Sequence, residues 1–218
     1  MLEIGIDPRI REVAPDLVLG CVRAAVRTEP GSEALGREME EAARRAAERG
    51  TEPAAEPPVA ALRGLYKALG KEPSRYRGSP EALLRRVRAG KPLYRIHNVV
   101  DAVNLVSLAT LQPIGLYDLA RVRPPVVFRR GAPGETYDGI GKERLNLDGL
   151  PVLADAEGPF GSPTSDSQRT MITPAAREVL AVVFGVTGRA ELEPAVAMLA
   201  DLLRRHASAE GVETACVE

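Results

Sequence analysis

The sequence predicts an α+β fold in which N-terminal helices pack on an antiparallel, β-sandwich-like sheet assembly. Two observations predict it. From Ser32 to Gly90, apolar residues recur at helical spacing in three successive segments. From Pro113 onward they gather in short Val- and Leu-rich runs separated by Gly- and Pro-rich turns at roughly ten-residue intervals, the signature of a meandering sheet.

Taken in order, Leu2 to Ile6 reads as a short strand. Leu17 to Thr28 reads as a longer buried one, bounded by Pro15 and by Glu29-Pro30-Gly31. Ser32 caps a helix to about Arg49 that turns Leu35, Met39, Ala42, Ala43, Ala46 and Ala47 to one side, and Gly50 ends it. TEPAAEPP is a proline-rich linker. A second helix starts at Pro57 or Pro58, buries Val59, Leu62, Leu65, Tyr66 and Leu69, and closes at Gly70. After the loop KEPSRYRG, Ser79-Pro80-Glu81 opens a third helix with Ser79 as its cap, carrying Leu83, Leu84 and Val87 inward to Gly90.

Leu93 to Val122 is the stretch with the most to explain. Asn98 is placed as an N-cap, with Asp101 in the reciprocal position of a capping box. Val99, Val100, Val103 and Val106 make one side apolar. Asp101, Asn104 and Ser107 recur every three residues as a polar stripe. Polar groups set this regularly in an apolar segment either satisfy one another in the core or face a ligand. Beyond the turn QPIG, the segments IGLYDLARV, PPVVFRR, VLADAEG, QRTMIT and REVLAVVFGV read as strands. RRGAPGE, DGIGKE, LDGLP and AEGPFGSP read as turns. Glu191 to His206 is a helix with Val196, Leu199, Leu202 and Leu203 inward, and Glu213 to Val217 a last strand.

The formal net charge of -1 gives no global reason to expect a nucleic-acid partner, so any such contact must be local. The local candidate is Arg75, Arg77, Arg85, Arg86 and Arg88 beside Tyr76, which reads either as a phosphate-binding face or as a solvated helix face. Cys21 and Cys216 are too far apart in sequence to suggest a disulfide framework or a zinc site, and no metal or other cofactor is expected. The absence of a long apolar run and of a basic-then-apolar start excludes a membrane partner and predicts a cytoplasmic protein.

No P-loop, GxGxxG, HExxH or GxSxG occurs. Of the two histidines, His206 ends a helix beside Arg204 and Arg205, where a cation suits the helix dipole, and reads as structural. His97 is the one histidine placed for acid–base work, the alternative being a hydrogen-bonded structural residue. A second polar concentration, Gly161 to Thr170, brings Asp166, Arg169 and Thr170 into either a ligand cleft or a solvated loop. Glu135 is a further carboxylate, at a strand start or on an exposed turn.

The order NVVDAVNLVSLATLQPIGLYDL, RRGAPGE, GIG, the D-x-x-G turn at Asp155–Gly158 and SDSQRTMIT resembles the B3/B4 domain. That domain is found in the β subunit of phenylalanyl-tRNA synthetase and in related stand-alone proteins. The resemblance runs from about Leu62 to Val183. It implies a stand-alone member: one domain over residues 1–218, with less similar N-terminal residues 1–60, a motif-bearing core 61–183 and a C-terminal helix and strand 184–218. In the synthetase the domain hydrolyses tyrosine mischarged onto tRNA(Phe), and its fold is an α+β assembly with an unusual β-sandwich. The resemblance therefore implies an editing cleft beside Asn98, Asp101 and Asn104, with Pro113, Gly115 and Tyr117 in one wall. Gly115 stands where the synthetase form QPLHAFD has histidine. The expected function is a tRNA-binding, trans-editing hydrolase of mischarged aminoacyl-tRNA. The alternative is a non-catalytic module that binds tRNA or an amino-acid-like small molecule. Such hydrolysis requires a positioned water and donors for the developing oxyanion, and no Ser-His-Asp triad or metal.

Overall fold

The computed structural model describes residues 2–141 and 143–218. In chain order the elements are β1 (Ile4–Ile6), α1 (Pro8–Val13), β2 (Val18–Ala25), α2 (Glu33–Ala47), α3 (Pro57–Ala68), α4 (Ser79–Arg88) and α5 (Asn98–Thr110). There follow β3 (Ile114–Asp118), β4 (Val126–Arg130), β5 (Thr136–Asp138), β6 (Arg144–Asn146), β7 (Pro151–Asp155), β8 (Gly158–Gly161), β9 (Glu178–Gly185), α6 (Arg189–His206) and β10 (Glu210–Val217).

Two sheets of four strands, ordered β1-β4-β7-β8 and β10-β2-β9-β3, form the sandwich, and β5 and β6 make a separate hairpin. Pairing is antiparallel apart from β1 with β4. The period of two along a strand builds three layers from one sequence pattern. In β9, Val179, Ala181 and Val183 face the helices, whereas Leu180, Val182 and Phe184 face the other sheet. β2 divides the same way, with Val18, Val22 and Ala24 toward the helices and Leu19 and Cys21 between the sheets. One core therefore lies between the second sheet and α2, α5 and α6. The other lies between the two sheets, with α3 at its side.

β1 and β2, read as strands from the sequence, join one sheet each, so the sheet assembly draws on both ends of the chain. Three sequence readings are corrected. QRTMIT is no strand: Ser167 Oγ accepts from Arg169 N–H and winds Gln168–Thr170 into a 3₁₀ turn. GPFG, read as a turn, is β8, because Phe160 fills the inter-sheet core. Gly78, not Ser79, caps α4. The turn at DGIGKE includes Lys142, which lies outside the described residues. Cys21 pairs across to Ala215 and Cys216 to Gly20, so the two thiols sit on opposite faces of the second sheet. Among the described residues no helix is long and apolar enough to cross a membrane.

Candidate functional site

A cleft of about 730 Å³ opens where the first half of α5 lies over the edge strand β3 and the Thr164–Pro174 segment closes the far side. Its apolar surface comes from Val100, Val103, Ile114, Leu116 and Ile172, and its polar groups from Glu29, Ser79, His97, Asn104, Thr164 and Asp166. An apolar concavity with a few convergent polar groups is the usual form of a small-molecule site.

The start of α5 is built by side-chain hydrogen bonds, one position earlier than its sequence suggests. The cap is His97: its Nδ1 accepts from Val100 N–H at 3.4 Å. Asn98 instead ties three segments together. Its Oδ1 accepts from Glu29 N–H (3.0 Å) and Val99 N–H (2.9 Å), while its Nδ2 donates to the Arg27 and His206 carbonyls at 2.8 and 2.9 Å. Asp101 Oδ1 accepts from Ile96 N–H (2.8 Å), the residue before the cap, so the expected Asn98–Asp101 capping box does not form, and Oδ2 accepts from Arg95 Nε (3.0 Å). Arg95 in turn donates to the Gly31 and Ser32 carbonyls. Asn98 and Asp101 are thus buried in the scaffold behind the cleft, at 2% and 1% exposure.

Asp101, Asn104 and Ser107 do not form one stripe. A three-residue step falls about 60° short of a full helical turn, so their directions drift apart. Asp101 holds the entry loop, Asn104 lines the cleft, and Ser107 donates to the Gln112 carbonyl at 2.9 Å. The cleft-lining face of α5 is His97, Val100, Val103 and Asn104.

The opposite wall, Ser162 to Asp166, is gripped from below by three tyrosine hydroxyls. Tyr66 meets Thr164 Oγ1 at 2.5 Å, Tyr137 donates to the Ser165 carbonyl at 2.5 Å, and Tyr117 donates to Asp166 Oδ1 at 2.8 Å. Asp166 Oδ2 also accepts from Leu116 N–H on β3 at 3.2 Å. Burial, first among the causes, pushes all three phenols well above their ordinary value, so they remain protonated. Past Asp166 the chain leaves the cleft. Arg169 makes a bidentate pair with Asp155 (2.8 and 3.1 Å), and Thr170 is buried with Oγ1 toward the Phe160 carbonyl.

Strand alternation divides the QPIGLYD segment. Ile114 and Leu116 face the cleft; Gly115 and Tyr117 face the inter-sheet side, and the Pro113 carbonyl accepts from Phe184 N–H. Gly115 has a specific role there. A Cβ at Gly115, or at Gly161 on β8, would overlap Tyr117 Oη, so the two glycines leave the channel through which that hydroxyl reaches Asp166.

The five arginines do not present one uniform face. Arg85 pairs with buried Glu81, Arg86 donates to the Pro92 carbonyl and stacks over Tyr94 (3.7 Å to the centroid), and Arg88 donates to the Arg49 carbonyl. Arg75 and Arg77 stay exposed, Arg77 two residues before cleft-lining Ser79. Glu135 is clamped by Arg129 and Ala132 N–H away from the cleft. Among the described residues no cluster of His, Cys, Asp or Glu is arranged to hold a metal ion.

The sequence pattern alone does not place Glu29 or Ser79 in the site. Ser79 reads as a cap, yet its Oγ bonds to nothing among the described residues and lies against the cleft wall. Burial holds the His97 imidazole below its ordinary value; Asp101 acts weakly in the other direction.

The architecture is that of a two-sheet α+β domain with a ligand-sized cleft at a sheet edge. Residues 61–207 match the model of the B3/4 domain, and the chain belongs to that family. The phenylalanine–tRNA ligase β subunit of Symbiobacterium thermophilum is 39% identical over 83 residues, which cover 37% of this chain and 9% of that protein. The β subunit of Pyrobaculum aerophilum is 28% identical over 119 residues, 44% of this chain and 23% of that one. The chain therefore spans a small fraction of the length of these curated relatives. An N-terminal fragment of the phenylalanyl-tRNA synthetase β subunit from Pyrococcus horikoshii shares the fold over 99% of this chain and 50% of its own, with a TM-score of 0.52 and 14% identity.

Proposed function

We propose that this chain is a cytoplasmic, tRNA-related module whose cleft takes the aminoacyl end of a mischarged tRNA and hydrolyses the acyl ester. One observation carries the reading: Asn104 and β3, from the Asn98–Asp118 motif, and Asp166, some fifty residues on within the same family match, converge on a single cleft. Arg75 and Arg77 supply exposed positive charge on the approach through Ser79, with Arg85, Arg86 and Arg88 further along α4 as additional phosphate contacts. In the reaction, water oxygen adds to the acyl carbon and the ester bond to the ribose oxygen breaks. One water proton ends on that oxygen and the other is released from the acid formed. The cleft contributes orientation and donors to the developing oxyanion, and the vicinal ribose hydroxyl is available for proton transfer.

Incubation with a panel of mischarged tRNAs tests this. Deacylation above buffer is expected for at least one, falling about 10–100-fold in Asn104→Ala if its amide supports the transition state. No deacylation of any of them rejects hydrolysis. The second reading, a non-catalytic module for tRNA or an amino-acid-like ligand, is favoured by the exposed Arg75 and Arg77 just before cleft-lining Ser79. It predicts salt-dependent tRNA binding, weakened in Arg75→Ala and Arg77→Ala, without turnover.

A further inference from the structure

We propose that His97 serves the cleft as a fixed hydrogen-bond donor, its Nε2–H meeting the acyl carbonyl oxygen of a bound ester, and takes no part in proton transfer. This rests on the aminoacyl-ester reading of the cleft and assigns one of its contacts.

The assignment follows from what the other ring nitrogen does. His97 Nδ1 accepts the Val100 N–H, and a nitrogen whose lone pair caps a helix carries no proton. In the neutral ring the proton is then on Nε2. That atom has no hydrogen-bond partner among the described residues, and it is not sealed in the interior. The ring lines the cleft, so Nε2–H opens on the ligand space. A second proton would have to enter at Nδ1, which would break the cap. Burial opposes that proton as well.

The first backbone N–H groups of α5 are already spent. Asn98 N–H goes to the Glu29 carbonyl, Val99 N–H to Asn98 Oδ1, Val100 N–H to His97, and Asp101 N–H to the His97 carbonyl. The helix end therefore offers the ligand no backbone donor of its own, and the imidazole extends its donor capacity into the cleft. Asn104 lies on the same face two turns on, about 10 Å along the axis, with Val100 between. A ligand that is polar at two points and apolar in the middle spans that distance.

His97→Ser is the informative variant, because serine keeps an N-cap acceptor but is too short to reach into the cleft. His97→Ala removes both. Affinity for a panel of amino-acid methyl esters and deacylation of the tRNA that the wild type accepts are measured with thermal stability. The expectation for His97→Ser is wild-type stability, ester binding weakened about tenfold, and a deacylation pH profile lowered but unchanged in shape. Wild-type affinity and rate in His97→Ser overturn the assignment. So does a limb of the wild-type pH profile that disappears in the variant, since that is the mark of proton transfer. If the wild type itself neither binds an ester nor deacylates any tRNA, the reading of the cleft fails and takes this contact with it. Turnover indifferent to His97 overturns the contact alone.

Discussion

The chain has two histidines, and each sits at a helix end with a different task. His206 closes α6, where its Nε2 lies 3.0 Å from Glu38 Oε1 and 2.9 Å from Arg205 Nη1, in an ionic network with the carbonyl-rich end of the helix. His97 opens α5, where the helix presents N–H groups and only an unprotonated nitrogen can satisfy them. The same side chain is thus a hydrogen-bond partner of a carboxylate and a guanidinium in one place and a neutral cap and donor in the other. The end of the helix it occupies decides which. Asn98 links the two sites, donating to the His206 carbonyl while bracing the loop before α2.

The link gives the largest expected effect. Asn98→Ala leaves buried donors and acceptors of three segments without partners. It is expected to cost about 2–4 kcal/mol in chemical denaturation. A loss below about 1 kcal/mol would mean that the α5 start and the α6 end are held together by packing alone.

A smaller effect separates the histidines by pH. His97 is held below its ordinary value of 6.5 by burial, so the unfolded chain takes up its proton first. Its contribution is present above 6.5 and is lost as pH falls through the lowered value. The charged groups facing it are Asp101 on its own helix, paired with Arg95, and Glu29 and Asp166 around the cleft. A denaturation series against pH should show this decline in the wild type and a flatter curve in His97→Ser. Superimposable curves would remove the burial account.

The smallest effect belongs to the other histidine. Hydrogen bonding from Arg205, then from His206, draws Glu38 below the usual carboxylate range. The Glu38 side chain is more than a third exposed, so Glu38→Gln is expected to change stability by less than about 1 kcal/mol, and less still at high salt. A larger loss would place this network in the scaffold rather than on its surface.

The layers of the fold were legible because the continuous Val- and Leu-rich runs of β2 and β9 and the apolar faces of α2, α3 and α6 are strong local signals. The site was legible only partly. Asp166 and Asn104 stood out as polar residues in unusual company, and both line the cleft. Asn98, Asp101, Arg169 and Thr170 stood out for the same reason, yet they hold loops together. Composition cannot separate a polar side chain that satisfies backbone from one that faces a ligand, because that depends on partners far along the chain. The spacing of His97, Val100 and Asn104 was the available signal for the cleft face. Reading every third residue from Asp101 concealed it.

The central claim, a neutral cap that donates into the cleft, is tested most directly by long-range proton–nitrogen NMR correlation of the two imidazoles. The account predicts that His97 is the Nε2–H tautomer, with an unprotonated Nδ1, and that it keeps this pattern as pH is lowered past the ordinary histidine value. A proton on Nδ1, or titration of His97 at that ordinary value, would contradict it.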